Sequence, residues 1–327
     1  MAVVRSDMTK GMVRDMYDWY FEQRDYAMKD TVYDKIIDLR DVTGEKSPYA
    51  QSTSAVGNGK FAEVAERESI PAEDIIEGFT TYAKYRKFGK RIEMSEESVD
   101  DHTKTANLLK ETVMGWADSE QWTLENFYSN HFNKGGFTAG DDLFDQSIPG
   151  ILTYSPGDFI YDSKPLFVLT GNNHTSKGGA TYFNSLNVSL DPANLETAME
   201  KMSADNNRNE RDEIINLGSD YVLVVPEQLR ATAERIVKSD LLPGSDTNDI
   251  NVLRDRFQVV PWNNISTATS WYIGIRKKGI RAYKRKNMKI DFYYDEETET
   301  FIAKGSFRYG CMIQNFRFWL AGKTPTS

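Results

Sequence analysis

Cysteine is all but missing from this chain of 327 residues: Cys311 stands alone, which excludes an internal disulfide framework and points to reducing surroundings. In its strand-like context it reads as a small buried side chain. Histidine is nearly as scarce. His102, His131 and His174 are the whole supply and none belongs to a ligand-spaced pair, so the sequence offers neither a zinc site nor a nucleophile with its base. No catalytic, metal or cofactor residue is therefore assigned. Long apolar runs are lacking too. No stretch of about 18 apolar residues exists to cross a bilayer, and MAVVRSDMTKGMVRDMYDWY has no apolar core of a signal peptide. The product is expected to stay in the cytoplasm where it is made, with no membrane partner, and the Asn-x-Ser/Thr triplets at Asn173, Asn187 and Asn264 carry no glycosylation meaning. No internal repeat and no low-complexity tail are found.

What is present is an ordinary soluble composition, long enough for two domains, with 40 basic against 49 acidic residues and a net charge of -9. Its dominant feature is the proline-free stretch 95–132, SEESVDDHTKTANLLKETVMGWADSEQWTLENFYSNHF. Ser95 is a helix cap, and Glu96, Glu97, Asp100 and Asp101 follow where the helix dipole favours negative charge. Ala106, Leu109, Val113, Trp116, Ala117, Leu124, Phe127 and His131 recur at three- and four-residue steps and predict one buried stripe, on which His131 reads as a satisfied core residue. Such a helix would run roughly 57 Å at about 1.5 Å per residue, longer than the core of most small domains. Gly115 at its middle implies a crossing backbone or a bend.

Before this rod, 5–28 places Met8, Met12, Met16 and Tyr20 at helical spacing, with Val13, Tyr17 and Phe21 beside them. The arm folds either onto its own core or across a neighbouring molecule. The string Gly44, Pro48, Ser52, Ser54, Gly57 and Gly59 reads as a linker. Two extended arms follow: 60–71, with Glu63, Glu66 and Glu68, and 79–94, with Lys84, Arg86, Lys87, Lys90 and Arg91. They are joined by a segment carrying Glu73, Asp74 and Glu77. One arm is acidic and the other basic. The apolar phase changes between Phe79–Tyr85 and Phe88–Met94, which predicts a bulge near Gly89. A two-stranded ribbon with so little apolar surface is marginal in water, so its charges either pair within the hairpin or meet a neighbouring subunit.

After the rod, Asp191 and Pro192 open a short helix, YVLVV at 221–225 is a buried strand stopped by Pro226, and a further helix and strands complete an α/β lobe over roughly 138–275. From 276 the pattern becomes an antiparallel meander of strands at 280–283, 289–294, 300–307 and 311–320. The glycine-rich loop GNNHTSKGGAT at 171–181 lacks the P-loop order, having Ser176 and Gly178 where Gly and Ser/Thr are needed, and reads as a surface loop. Adjacent acids such as Glu96 and Glu97 point to different helix faces and cannot work as an acid/base pair. The stretch RKKGIRAYKRKNMK, 276–289, has eight positive residues and Tyr283, enough for phosphate contacts. An acidic cluster follows at once, and no recognition motif frames it. Nucleic-acid binding through 276–289 and an α/β enzyme thus stand as alternative functions.

The order of parts is informative: an N-terminal arm, a charged hairpin ending in RIEMSEESVDD, a long helix capped by NKGG, a lobe with YVLVVPEQL, and a closing FRYGCMIQNFRFWLAG. This resembles the major capsid proteins of tailed bacteriophages, the Hong Kong 97-type head subunits. In that family the second hairpin strand ends in a run such as Ile92 to Glu97 before a spine helix, and a strand of the axial domain turns at a corner such as Val224 to Pro226. The resemblance implies an α+β fold divided as follows: an N-arm at 1–48, an extended hairpin loop at 49–94, and a spine helix at 95–137. An axial domain then covers 138–275, and antiparallel strands of the peripheral domain cover 276–327. It implies a structural protein of the virion that assembles as hexamers and pentamers of identical subunits around double-stranded DNA. Portal, scaffold and decoration proteins would be further partners, and DNA contacts would be non-specific. Lys84, Arg86, Lys87, Lys90, Glu63, Glu66 and Glu68 of the hairpin are the expected assembly residues.

Overall fold

The structure, a computed structural model, describes residues 5–55, 63–67, 69–70, 77–101, 105–136, 142–153, 162, 164–241 and 249–323. In chain order the elements are α1 (Arg5–Ala27), α2 (Tyr33–Ile36), β1 (Asp38–Asp41), β2 (Tyr49–Ala55), β3 (Glu77–Lys84), β4 (Arg86–Ser95), α3 (Glu96–Asp101) and α4 (Thr105–Asn133). The short pair β5 (His174–Thr175) and β6 (Thr181–Tyr182) is followed by α5 (Pro192–Glu200), β7 (Tyr221–Val225), α6 (Glu227–Lys238), β8 (Phe257–Pro261) and β9 (Trp271–Ile275). The chain closes with β10 (Ile280–Asp295), β11 (Thr300–Ile313) and β12 (Trp319–Lys323).

Helix α4 carries the predicted stripe: Leu109, Val113, Trp116, Ala117, Leu124, Phe127 and His131 are all buried, and Tyr128 and Phe132 widen it. His131 is satisfied in the core by the Phe127 carbonyl, 2.9 Å from Nδ1. Ser95 caps the first helical turn, accepting from the Ser98 N–H at 3.3 Å. The expected single helix is described as α3 and α4, with 102–104, including His102, outside the described residues. Gly115 has open space where a Cβ would stand, so of the two readings of this glycine the crossing backbone is excluded. The close approach occurs one residue on, where the Trp116 ring lies over Gly305 of β11.

The N-terminal arm folds onto its own body, which decides between the two readings of its apolar face. Met16 and Tyr20 are fully buried. Gln23 Nε2 donates to Asp118 at 3.1 Å, Arg24 Nε to Glu120 at 3.0 Å, and the Tyr20 hydroxyl also meets Glu120. Tyr17 Oη accepts from the Ile290 N–H at 2.9 Å, tying the arm to the sheet as well. Burial of side chains of this size contributes roughly 1.5–3 kcal/mol each.

Under the helices lies a four-stranded sheet in the order β1-β10-β11-β4, with β1 parallel to β10 and the other pairs antiparallel. The four short strands expected after 276 are fused here into two long ones. Two one-residue slips, at Lys284/Lys286 and Lys286/Lys289, absorb the polar stretch of β10. Two slips restore the side-chain parity, so Ile280 and Ala282 before them and Met288 and Ile290 after them are all buried. β4 pairs with β11 in unbroken register from Ser95↔Thr300 to Arg86↔Tyr309, so the bulge expected near Gly89 is not there. The change of phase occurs at Tyr85, where the chain leaves one partner, β2, and takes up another, β11.

The hairpin itself also departs from expectation. β3 pairs with β2, from Tyr49↔Lys84 to Ala55↔Glu77, within the stretch read as a linker, and not with an arm at 60–71. The ladder of small and polar residues gave no apolar alternation to reveal a strand. The ribbon's base rests on the sheet through Ala50, Ala83 and Tyr85, which pack with Tyr283 and Met312.

The axial lobe is built on a second four-stranded sheet, β12-β9-β7-β8, in which only β7 and β8 are parallel. α5 begins as the sequence indicates, with the Asp191 carboxylate accepting from the Asn194 N–H at 2.8 Å and Pro192 at its first position. Here the closing segment is a correction to the expected division of the chain. β12 leaves the peripheral sheet and pairs with β9 of the lobe, because the 3-10 turn Phe316–Phe318 redirects it. Two glycines permit the fit. A Cβ on Gly274 would stand 2.4 Å from the Trp319 ring and one on Gly322 1.9 Å from the Trp271 ring. Phe132, at the end of α4, joins the two bodies, with its ring 4.9 Å from Trp319, 5.4 Å from Tyr272 and 5.6 Å from Trp262.

The loop 171–181 lies at the surface as the sequence suggests, with two of its side chains turned inward. His174 and Ser176 are buried, and Ser176 Oγ, the Tyr182 hydroxyl and the Ala180 N–H all donate to the Asp212 carboxylate, at 2.6, 2.6 and 3.3 Å. Ser176, with the Lys177 and Ala180 N–H groups, thus joins the loop to an internal network, which also holds the buried Arg317–Glu210 pair at 2.5 Å.

Candidate assembly surface

The outer face of the peripheral sheet, turned away from α4, is organised by strand register. Lys87 of β4, Arg308 of β11 and Lys286 of β10 form one row across three strands. Gly89, Ser306 and Lys289 form the next, and Arg91, Lys304 and Asp291 the third. Gly89 and Ser306 contribute almost no bulk at the centre, and the surrounding side chains enclose a trough of about 440 Å³. Six cations and one carboxylate therefore share nine neighbouring positions. Lys289 and Asp291 pair within the trough at 2.7 Å, and Arg91 is held by Glu93 at 2.8 Å. Like charges placed directly across strands are destabilising by some tenths of a kcal/mol each. The arrangement is suited to an anionic partner of extended shape, with a strength that falls as salt rises.

Not all the expected assembly residues lie on this surface. Lys87 lines the trough. Lys90 points to the other face of β4, where Nζ donates to Ser119 Oγ of α4 at 2.9 Å beside a second cleft floored by Trp116, Met288 and Phe307. Lys84 and Arg86 face the chain's own loop at 142–147. The Lys84 N–H donates to Gln146 Oε1 at 2.7 Å, and Arg86 Nη2 donates to the carbonyls of Leu143 at 3.0 Å, Asp145 at 3.2 Å and Asp142. The Asp145 carboxyl is held below the usual carboxylate range, first by the Ser147 hydroxyl and with help from Lys84 and Arg86 against the opposing effect of burial. Glu63 and Glu66 are exposed, beyond the last rung of the ribbon at Ala55↔Glu77; Glu68 lies outside the described residues.

Sequence reasoning did not pick out Lys286, Lys289, Lys304 and Arg308 as one surface. Lys304 and Arg308 are scattered among apolar residues, and only the strand register brings them beside Arg91 and Lys87. The basic stretch 276–289 is largely spent inside the molecule. Arg276 Nε donates to the Lys35 carbonyl at 3.1 Å, Lys278 Nζ to that of Leu217 at 2.8 Å, and Arg285 to that of Thr43 at 3.0 Å. Arg281 pairs with Asp38 at 3.2 Å and Lys284 with Asp41 at 3.1 Å. Arg281, Lys284 and Arg285 thus tie the N-terminal segment to β10. Among the described residues no group of three His, Cys, Asp or Glu side chains is placed to hold a metal ion. No helix is long and apolar enough to cross a membrane among them.

A family model for phage capsid proteins matches residues 78–321. Solved structures with the same fold include the capsid of the cyanophage P-SCSP1u, with a TM-score of 0.55 at 9% identity over 91% of this chain and 89% of that one. The mature capsid of bacteriophage PhiM1 gives 0.53 at 10% identity over 92% and 89%, and Mycobacterium phage Patience 0.53 at 11% identity over 96% and 88%. At such identities the likeness is one of fold. No curated protein sequence matches the chain.

Proposed function

The chain belongs to the phage capsid protein family, and from that premise we propose that it is the major head subunit of a tailed bacteriophage, closing as identical copies into an icosahedral shell around double-stranded DNA. Its fold is of the Hong Kong 97 type, and its role is structural. The observation that supports assembly through the hairpin is the separation of two complementary surfaces on one chain. Glu63 and Glu66 are exposed and fall in the chain between the two strands of the last ribbon rung, Ala55↔Glu77, and the basic trough lies on strands beyond Tyr85. The eight residues of β3 alone run roughly 26 Å at about 3.3 Å per residue. The acidic segment of one copy is thus matched to the trough of the next, with Lys87 on the receiving side, Lys90 on the opposite face of β4 beside α4, and Lys84 and Arg86 fixing the ribbon's root. Closed symmetric shells repeat such modest contacts many times.

In this reading hexamers and pentamers are the building units, portal, scaffold and decoration proteins are further partners, and contacts with packaged DNA are non-specific. The chain is made in the host cytoplasm and ends in the virion. Negative-stain microscopy and sedimentation velocity of the purified chain test the proposal. Rings or closed shells are expected, whereas a lone 37.4 kDa species under all assembly conditions would overturn it.

A further inference from the structure

Helix α4 carries two buried carboxylates, Glu120 and Glu125, and they are held in different ways. Glu120 is paired with a cation, Arg24 of α1, and with the Tyr20 hydroxyl. Glu125 is held by N–H groups from two other parts of the chain. One oxygen accepts from the Val32 N–H at 2.5 Å, in the segment between α1 and β1, and the other from the indole Nε1–H of Trp262 at 2.6 Å, in the axial lobe. The Tyr33 N–H adds a further bond. This single side chain therefore bolts the spine helix to the N-terminal segment on one side and to the lobe on the other. Trp262 packs in turn on Phe132, at the junction of the two bodies.

Backbone and indole N–H groups can only donate. A carboxylate satisfies them with both oxygens. A protonated carboxyl has one hydroxyl oxygen, a much poorer acceptor, whose own hydrogen then faces donors. We propose that Glu125 is a proton-operated joint: its protonation weakens one of the two bolts and frees the axial lobe or the N-terminal segment from the spine. Burial pushes the Glu125 carboxyl above its ordinary range, an effect the N–H groups of Val32, Trp262 and Tyr33 and the charge of Lys35 only partly offset. As pH falls, the folded chain thus takes up this proton before an exposed glutamate would. The charged group that acts on it is Lys35, and it acts in turn on Tyr33 of the segment it holds, a ring also reached by Glu120 of α4, Asp34 and Tyr309 of β11; beyond these, Tyr128 of its own helix faces Tyr33, Tyr309 and Cys311. The lobe brings Trp262. Of these, Tyr128, Tyr309 and Cys311 are pushed upward by burial and stay neutral through the acid range.

The test is hydrogen exchange of the Val32 amide and the Trp262 indole in the purified single chain, expressed as protection relative to the intrinsic rate at each pH. Protection of at least one of the two is expected to fall as pH is lowered from 7.5 to the ordinary glutamate value of about 4.3, with the core amides of β7 unchanged. Glu125→Gln, which presents one oxygen and one amino group, should show the low-pH level already at pH 7.5. Trp262→Phe removes one donor and leaves an oxygen vacant for the proton, so protection of Val32 should become independent of pH. Unchanged protection of both groups in the natural chain across this range would overturn the proposal, as would full protection of both in Glu125→Gln. Because the readout is on single chains, its failure leaves the assembly reading untouched.

Discussion

The axial sheet and the β2/β3 ribbon are built from strands of similar length, yet only the sheet carries its own core. In β7 and β9, Val222 to Val225 and Trp271 to Ile275 are buried without a break, closed over by α5 and α6 on one side and by the Phe132 cluster on the other. In the ribbon, Gln51, Ser52, Thr53 and Thr80 take the places that apolar residues hold elsewhere, and burial begins only where Ala50, Thr81, Ala83 and Tyr85 meet the peripheral sheet. The lobe is stabilised by folding alone. The ribbon gives up solvent and conformational freedom for very little within one chain, and in the proposed assembly its stabilisation comes from another copy. Stability and assembly should therefore respond to different residues.

The sharpest break between the two regions is expected at the junction of lobe and spine. Phe132→Ala empties a fully buried site lined by Trp262, Tyr272 and Trp319 and should destabilise the chain by about 3–5 kcal/mol in urea unfolding. Glu120→Ala should cost a similar amount, about 3–5 kcal/mol, because Arg24 and the Tyr20 hydroxyl lose a buried partner. In the lobe's polar network Asp212→Asn is expected to cost about 1–3 kcal/mol. Burial alone would raise this carboxyl, but the hydrogen bonds from Ser176, Tyr182 and Ala180 outweigh it and hold it below the usual range. Its contribution is thus present above the unfolded value of about 3.9 and lost as pH falls through the lower folded value. Acid unfolding of Asp212→Asn should lack that component. The smallest effect on stability belongs to the ribbon. Replacing residues 56–76 by a short turn between Ala55 and Glu77 should shift unfolding by no more than about 0.5 kcal/mol while abolishing shells in the microscope. A large loss of stability in that shortened chain would erase the distinction between the two regions.

The same division governs what could be read in the sequence. YVLVV, the Asp191-Pro192 cap and the stripe of α4 announced themselves because each element's burial is written in its own periodicity. The N-terminal helix was legible as an element but not in its destination, since an apolar face does not name the surface it meets. β2 was missed because Ala, Ser and Thr hold a strand by ladder bonds and carry no alternation. β10 and β11 were cut too short because bulges at Lys284 to Lys289 and the polar residues facing the trough interrupt their pattern. The trough was hidden for a different reason. Its cations come from segments some 200 residues apart, and they acquire a common meaning only when β11 lies between β4 and β10.

The most direct measurement is therefore the particle yield of charge-reversed chains, by sedimentation and microscopy at fixed salt. Lys87→Glu, Arg91→Glu and Lys304→Glu together should leave a folded chain near 37.4 kDa that forms no shells. Adding Glu63→Lys and Glu66→Lys to the same chain should restore a substantial part of the yield. Shells at the natural yield from the chain with only the trough reversed would contradict the account.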